Sequence, residues 1–222
     1  MKTFNTMLGI VLLGCSILTG CAKPDETTAA PSSAPPAPSS TASQPTTPAS
    51  GGMTMGGMAM DGDSMKMGSS GQDALKSLKG KEFNIAFLSQ MIAHHQGAVD
   101  MAKDVLKVAK HSETKTEAQA VVTNQEKEIK QMTSWLHDWY GVTPSAAQMD
   151  LMKADMKGMM GMKVTEDKMF FQMMIPHHQG AIDMSQLALK QSDKAEVKEL
   201  AQQIIKAQEA EIVRYNALIK QM

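Results

Sequence analysis

The chain repeats itself. Met91-Ile-Ala-His-His-Gln-Gly-Ala-Val-Asp-Met101 returns as Met174-Ile-Pro-His-His-Gln-Gly-Ala-Ile-Asp-Met184. A shift of 83 positions superposes the two copies without a gap, and 20 of the 50 positions from Phe87 to Leu136 are then identical. Phe87 falls on Phe170, Gln125 on Gln208, Glu128 on Glu211 and Ile129 on Ile212. A gapless duplication of this length means one supersecondary unit used twice. Two copies are too few for a solenoid and suffice for a two-fold bundle.

Helical periodicity predicts four amphipathic segments, at Phe83–Lys110, Thr114–Tyr140, Asp167–Gln191 and Lys194–Gln221. Strand signals are missing. Thr114-x-x-Glu117 and Asp193-x-x-Glu196 read as capping boxes for the second and fourth helices, and Gly141 with Pro144 ends the second. Short connections within each repeat force antiparallel hairpins. The expected fold is all-α, a four-helix bundle of two duplicated hairpins over residues 73–222, with repeats at 83–140 and 166–222.

The remaining third of the chain is of other kinds. Lys2 and the apolar run Met7–Leu18 form a signal segment too short to span a bilayer, and it ends in the lipobox Leu18-Thr19-Gly20-Cys21. Residues 1–20 are therefore expected to be removed and Cys21 to be lipidated. Ala22 rather than an aspartate follows it, which in a Gram-negative host addresses the protein to the outer membrane; otherwise it faces outward from the cytoplasmic membrane. Cys15 lies within the removed segment, so the mature chain has no disulfide to form. Residues 21–50 are Pro, Ser, Thr and Ala with almost no large apolar side chain, the composition of a disordered tether. With Lys2 removed the chain carries 21 basic and 23 acidic side chains, and no basic patch argues for nucleic acid.

Residues 51–72 are rich in glycine and methionine, with Met53, Met55, Met58, Met60, Met65 and Met67 crowded into one short stretch. One reading is a low-complexity linker; the other is a set of thioethers that wraps Cu(I). Outside the cytoplasm thiols oxidise to disulfides, whereas thioethers cannot form them and have no proton to lose. The connector 145–163 also carries methionines. Met149, Met152, Met156 and Met159 share helical spacing, which suits adaptable core packing as well as a soft metal surface.

Within the repeated motif, Met91, His94, His95, Ala98 and Met101 fall on one broad side of a helix, and Asp100 points away. Met174, His177, His178, Ala181 and Met184 do the same in the second copy. Imidazole nitrogen and thioether sulfur are the donor pair that suits copper best. A pseudo-symmetric bundle brings the two His-His pairs towards each other, which would converge up to four imidazoles and the four motif thioethers. Gly97 and Gly180 each cost about 1 kcal/mol relative to alanine in a helix interior, so a glycine retained in both copies marks close backbone contact. Gln125, Glu128, Gln208 and Glu211 lie on the partner helices, where they orient the imidazoles from behind. The plainer alternative makes the histidines ordinary boundary residues satisfied by those same side chains. His111 and His137 have no counterpart and read as surface residues.

The repeated motif, followed by Gln-x-x-Glu-Ile, resembles the bacterial family known as domain of unknown function 305, over about Phe83 to Met222. That resemblance implies a ferritin-like four-helix bundle associated with extracytoplasmic copper, and no established enzyme activity. Three functions follow. The first is an envelope-anchored lipoprotein that buffers, sequesters or relays copper, with an efflux or chaperone protein as partner. The second is a ferritin-like copper oxidoreductase; Met91 and Met174 stand three residues before a histidine, where di-iron proteins of that fold place glutamate, and so argue against iron. The third is a structural or interaction module.

Overall fold

The computed structural model describes residues 67–222. The signal segment, Cys21, the tether and Met53, Met55, Met58, Met60 and Met65 lie outside the described residues. Seven helices occur among the described residues: α1 (Ser70–Lys76), α2 (Gly80–Leu106), α3 (Ser112–Tyr140), α4 (Ala146–Asp155), α5 (Lys157–Met160), α6 (Asp167–Gln191) and α7 (Ala195–Gln221). No strand is present among them, and none of these helices is long and apolar enough to cross a membrane.

The four long helices are the four expected ones. α2 packs along α3, α6 along α7, and the two hairpins meet through α2 and α6. The fold is thus an all-α four-helix bundle built from duplicated hairpins. Met91 shares an apolar cluster with Ala181 and Met184, and Ala98 and Met101 share a second cluster with Met174. The start of each motif therefore packs near the end of the other, which makes α2 and α6 antiparallel. Phe83, Phe87, Leu88 and Leu136 fill the first cluster; Phe170, Phe171, Val121 and Tyr215 fill the second.

The helix ends differ from expectation. α3 begins at Ser112 and α7 at Ala195, and neither has a side-chain cap bond, so both capping boxes are absent. Thr114 lies inside α3, buried, with its hydroxyl beside Asp167. Asp193 accepts a 2.6 Å hydrogen bond from Asn84 Nδ2 instead. Long-range partners have taken the side chains that local capping would need. The end of α3 is as expected: Gly141 adopts φ 65°, a left-handed conformation that glycine takes without strain, and its N–H bonds His137 O.

Three short helices complete the domain. α1 packs on α4, and Asp155 accepts bonds from Ser70 N (3.1 Å) and Gly71 N (2.6 Å). Met152, Met156 and Met159 are buried and Met149 packs against the first cluster, so that methionine stripe is core. Met160, off the stripe, is 37% exposed.

Candidate metal centre

Between the two apolar clusters lies a polar layer made by the repeated histidines. All four are fully buried. His94 and His177 face each other across the α2–α6 seam with ring centroids 3.8 Å apart and planes inclined by 42°. None of their four ring nitrogens has a hydrogen-bond partner. Burial, and after it the neighbouring imidazoles, holds both well below the usual histidine value, so each keeps a neutral ring with a free lone pair.

The second histidine of each pair turns outward. His95 Nε2 is 2.6 Å from Glu128 Oε2 on α3. A carboxylate only accepts, so Nε2 donates, and Nδ1 is left without a hydrogen-bond partner. His178 Nε2 stands 2.7 Å from Glu211 Oε2 on α7, close enough for charge pairing although its N–H direction misses the oxygen. The four imidazoles do not converge on one point. Adjacent rings lie 6.3 Å apart in each pair, because neighbouring residues on a helix point about 100° apart. The layer is an inner pair and two outer arms.

Gln125 and Gln208 are nearly buried with Oε1 unpartnered, and they line, with Glu128 and Glu211, a cleft of about 250 Å³ between α3 and α7. The carboxylates thus sit where they orient the outer imidazoles and border an opening to solvent. Met91, Met101, Met174 and Met184 are buried in the apolar clusters that flank the layer. Gln96 and Asp100, with their counterparts Gln179 and Asp183, form surface pairs at 2.9 Å and take no part. His137 is exposed beside Asp138, and His111 is half-exposed 3.4 Å from Asp167.

The glycines locate two thioethers that periodicity does not. A β-carbon at Gly97 would stand 2.8 Å from Met160 Sδ and 3.5 Å from His177 Nε2. At Gly180 it would overlap the Met67 methyl and stand 2.8 Å from Met67 Sδ and 3.3 Å from His94 Nε2. The close backbone contact expected at these positions is not found: what approaches each glycine is a methionine and a histidine side chain. Sequence spacing groups Met67 with the Gly-rich segment, and it leaves Met160 off the helical stripe.

Among the described residues no three His, Cys, Asp or Glu side chains are placed to hold one ion. The donors that do meet are imidazole nitrogen and thioether sulfur. Orphaned buried nitrogens cost about 1–3 kcal/mol each, and a soft or borderline metal ion is the partner that such a donor set fits.

The model of the family described as domain of unknown function (DUF305) matches residues 37–136 and 105–218, so the chain belongs to that family. Among solved structures, CopM in its Cu(II)-bound form is similar at 31% identity with a TM-score of 0.55, covering 62% of this chain and 96% of that one. CopM in its Cu(I)-bound form matches at 31% identity and TM-score 0.54, over 62% and 96% of the two chains. A DUF305 fragment from Deinococcus radiodurans matches at 27% identity and TM-score 0.52, over 63% and 96%. No functionally curated protein matches the sequence.

Proposed function

We propose that this chain is a copper-binding lipoprotein that buffers, sequesters or relays Cu(I) and Cu(II) outside the cytoplasm. The observation that carries the reading is the layer of buried imidazoles, used twice and keeping every ring nitrogen of its inner pair, His94 and His177, unpartnered inside an apolar bundle. Neutral imidazole binds copper in both oxidation states, and thioether favours Cu(I). The similarity to CopM, whose structures hold Cu(II), Cu(I) and silver, supports copper as the cargo. Copper here is what the protein carries rather than a resident catalytic cofactor, and no enzymatic activity is assigned. Cys21 would anchor the chain to the membrane, with residues 22–50 as spacer, and a copper efflux or chaperone protein would exchange metal with it.

Titration of the chain with Cu(I) without oxygen and with Cu(II) in air tests this, alongside a variant with His94, His95, His177 and His178 all changed to Ala. Wild type should bind both ions, with nitrogen scattering in X-ray absorption, and the variant should lose Cu(II). A wild-type chain that binds neither ion leaves only the interaction-module reading. Cys21→Ser should move the protein from the membrane to the soluble fraction; retention in the membrane would refute the anchor.

The facing His94 and His177 rings, with Tyr215 5.5 Å from His178, favour one second reading, a ferritin-like copper oxidoreductase. Catalytic oxygen consumption with Cu(I) in excess over protein separates it from simple storage.

A further inference from the structure

Each repeat is preceded by a methionine-rich stretch, and from each stretch one side chain crosses to the other repeat's glycine. Met67 lies before the first repeat and rests on Gly180 of the second; Met160 lies before the second and rests on Gly97 of the first. At each notch the thioether meets a histidine from the opposite helix, Met67 with His94 and Met160 with His177. The two notches are related by the duplication although Met67 and Met160 are not, since the offset between the repeats carries Met67 onto Asp150 and Ser77 onto Met160.

We propose that Met67 Sδ with His94 Nε2, and Met160 Sδ with His177 Nε2, form two soft-metal sites that take Cu(I) or Ag(I). The assignment rests on the copper reading of the histidine layer and gives the monovalent ion to these particular atoms. Three observations carry it. Both nitrogens are fully buried and unpartnered. In each notch the sulfur and the nitrogen lie within 3.5 Å of the same point, the place a β-carbon would occupy. The methionines are less enclosed than the four in the motif, with Met160 37% exposed, so an ion can reach sulfur before nitrogen. Met67 is also the last methionine of the Met53–Met67 run in the sequence. Thioether keeps its lone pairs at any physiological pH and prefers the monovalent ion. Glycine is then required for a reason of chemistry: any larger residue fills the space that the sulfur needs.

Methyl NMR of the full chain, solubilised in detergent and labelled with ¹³C at the methionine methyls, reads each thioether separately. The probes are Ag(I) in air and Cu(I) without oxygen. Met67→Leu and Met160→Leu assign the two signals with nearly unchanged volume. Both signals should shift in the first equivalents of ion, before those of Met91, Met101, Met174 and Met184. Gly180→Ala should abolish the Met67 response and spare that of Met160; Gly97→Ala should do the converse. Alanine favours helix, so circular dichroism should show both variants folded. Competition with a chromophoric Cu(I) chelator should show affinity at the affected site falling roughly ten-fold or more. If the ions bind but the Met67 and Met160 signals stay in place, or the alanine variants respond as wild type does, the assignment is overturned. If no methionine signal moves and no ion is retained, the copper reading itself fails.

Discussion

A buried imidazole without a partner is costly, and His94 and His177 carry that cost together. Burial first, then neighbouring imidazoles, depresses both below the usual value near 6.5. In metal-free protein the unfolded chain binds protons at a pH where the folded one does not. Stability is therefore fully present above about pH 6.5 and is lost as pH falls below it, by up to about 1.4 kcal/mol per pH unit for each ring. Urea denaturation of the apo protein between pH 7 and 5 should show this slope, and replacing both residues by Leu should flatten it. An unchanged slope in that variant would mean that these rings are protonated in the native state. The outer histidines answer a different test. Glu128→Gln and Glu211→Gln keep the size of the side chain and remove the charge that holds His95 and His178. Cu(II) affinity should fall about 10–100-fold with helix content unchanged; equal affinity would reduce the glutamates to bystanders. At this scale the histidines are legible in the sequence, because apolar packing alone has no use for two adjacent imidazoles kept in both copies of a duplication. Met67 is legible only as one of six candidate thioethers and Met160 only as one of the connector methionines, and tertiary contact alone singles them out. Gly97 and Gly180 suggest backbone contact because a missing side chain does not say what fills its place, and the structure puts thioethers there.

Between elements, the hairpins are clamped by two side chains at equivalent positions. Asn84, in the first turns of α2, reaches the α6–α7 connection, accepting a 2.6 Å bond from Ser192 and donating to Asp193. Asp167, its counterpart in the duplication at the start of α6, reaches the α2–α3 connection and accepts from Lys110 N and His111 N at 3.0 and 3.1 Å. Each repeat thus caps the turn of the other. Such reciprocity is invisible to local pattern, which is why the sequence predicts capping boxes where none form. Desolvation alone would raise the Asp167 carboxyl, but the donors of Lys110 and His111, with the Thr114 hydroxyl beside them, outweigh it and hold the group at about 2. A depressed carboxylate stabilises the fold above its unfolded value, and the contribution is lost as pH falls from about 3.8 towards 2. Asp167→Asn should cost on the order of 2 kcal/mol at neutral pH, and the gap to wild type should close over that acid window. A gap that stays constant down to pH 2 would show that shape rather than charge makes the clamp.

For the molecule as a whole, the duplication predicts the bundle and its four long helices, because a 3.6-residue apolar period sustained over runs this long has one stable solution. It does not predict α1 or α5, whose seven and four residues are too short to show a period. The α4 stripe is ambiguous in sequence for another reason, since methionine serves packing and metal equally well. The resulting architecture puts the histidine layer between two dry clusters, each anchored by aromatic side chains: stacked Phe83 and Phe87 in one, and Phe170, Phe171 and Tyr215 in the other. These clusters need no metal to form. Circular dichroism of the chelated protein should therefore show the same helix content as the copper-loaded protein. Metal that binds only the folded state should still raise the midpoint of thermal unfolding, by about 2.7 kcal/mol of stability at a free concentration 100 times the dissociation constant. The rise should grow with copper concentration and vanish in the four-histidine variant, which keeps both apolar clusters. Loss of most helix on chelation would instead make this a protein that metal folds, and would place the polar layer, rather than the clusters on either side of it, at the centre of its stability.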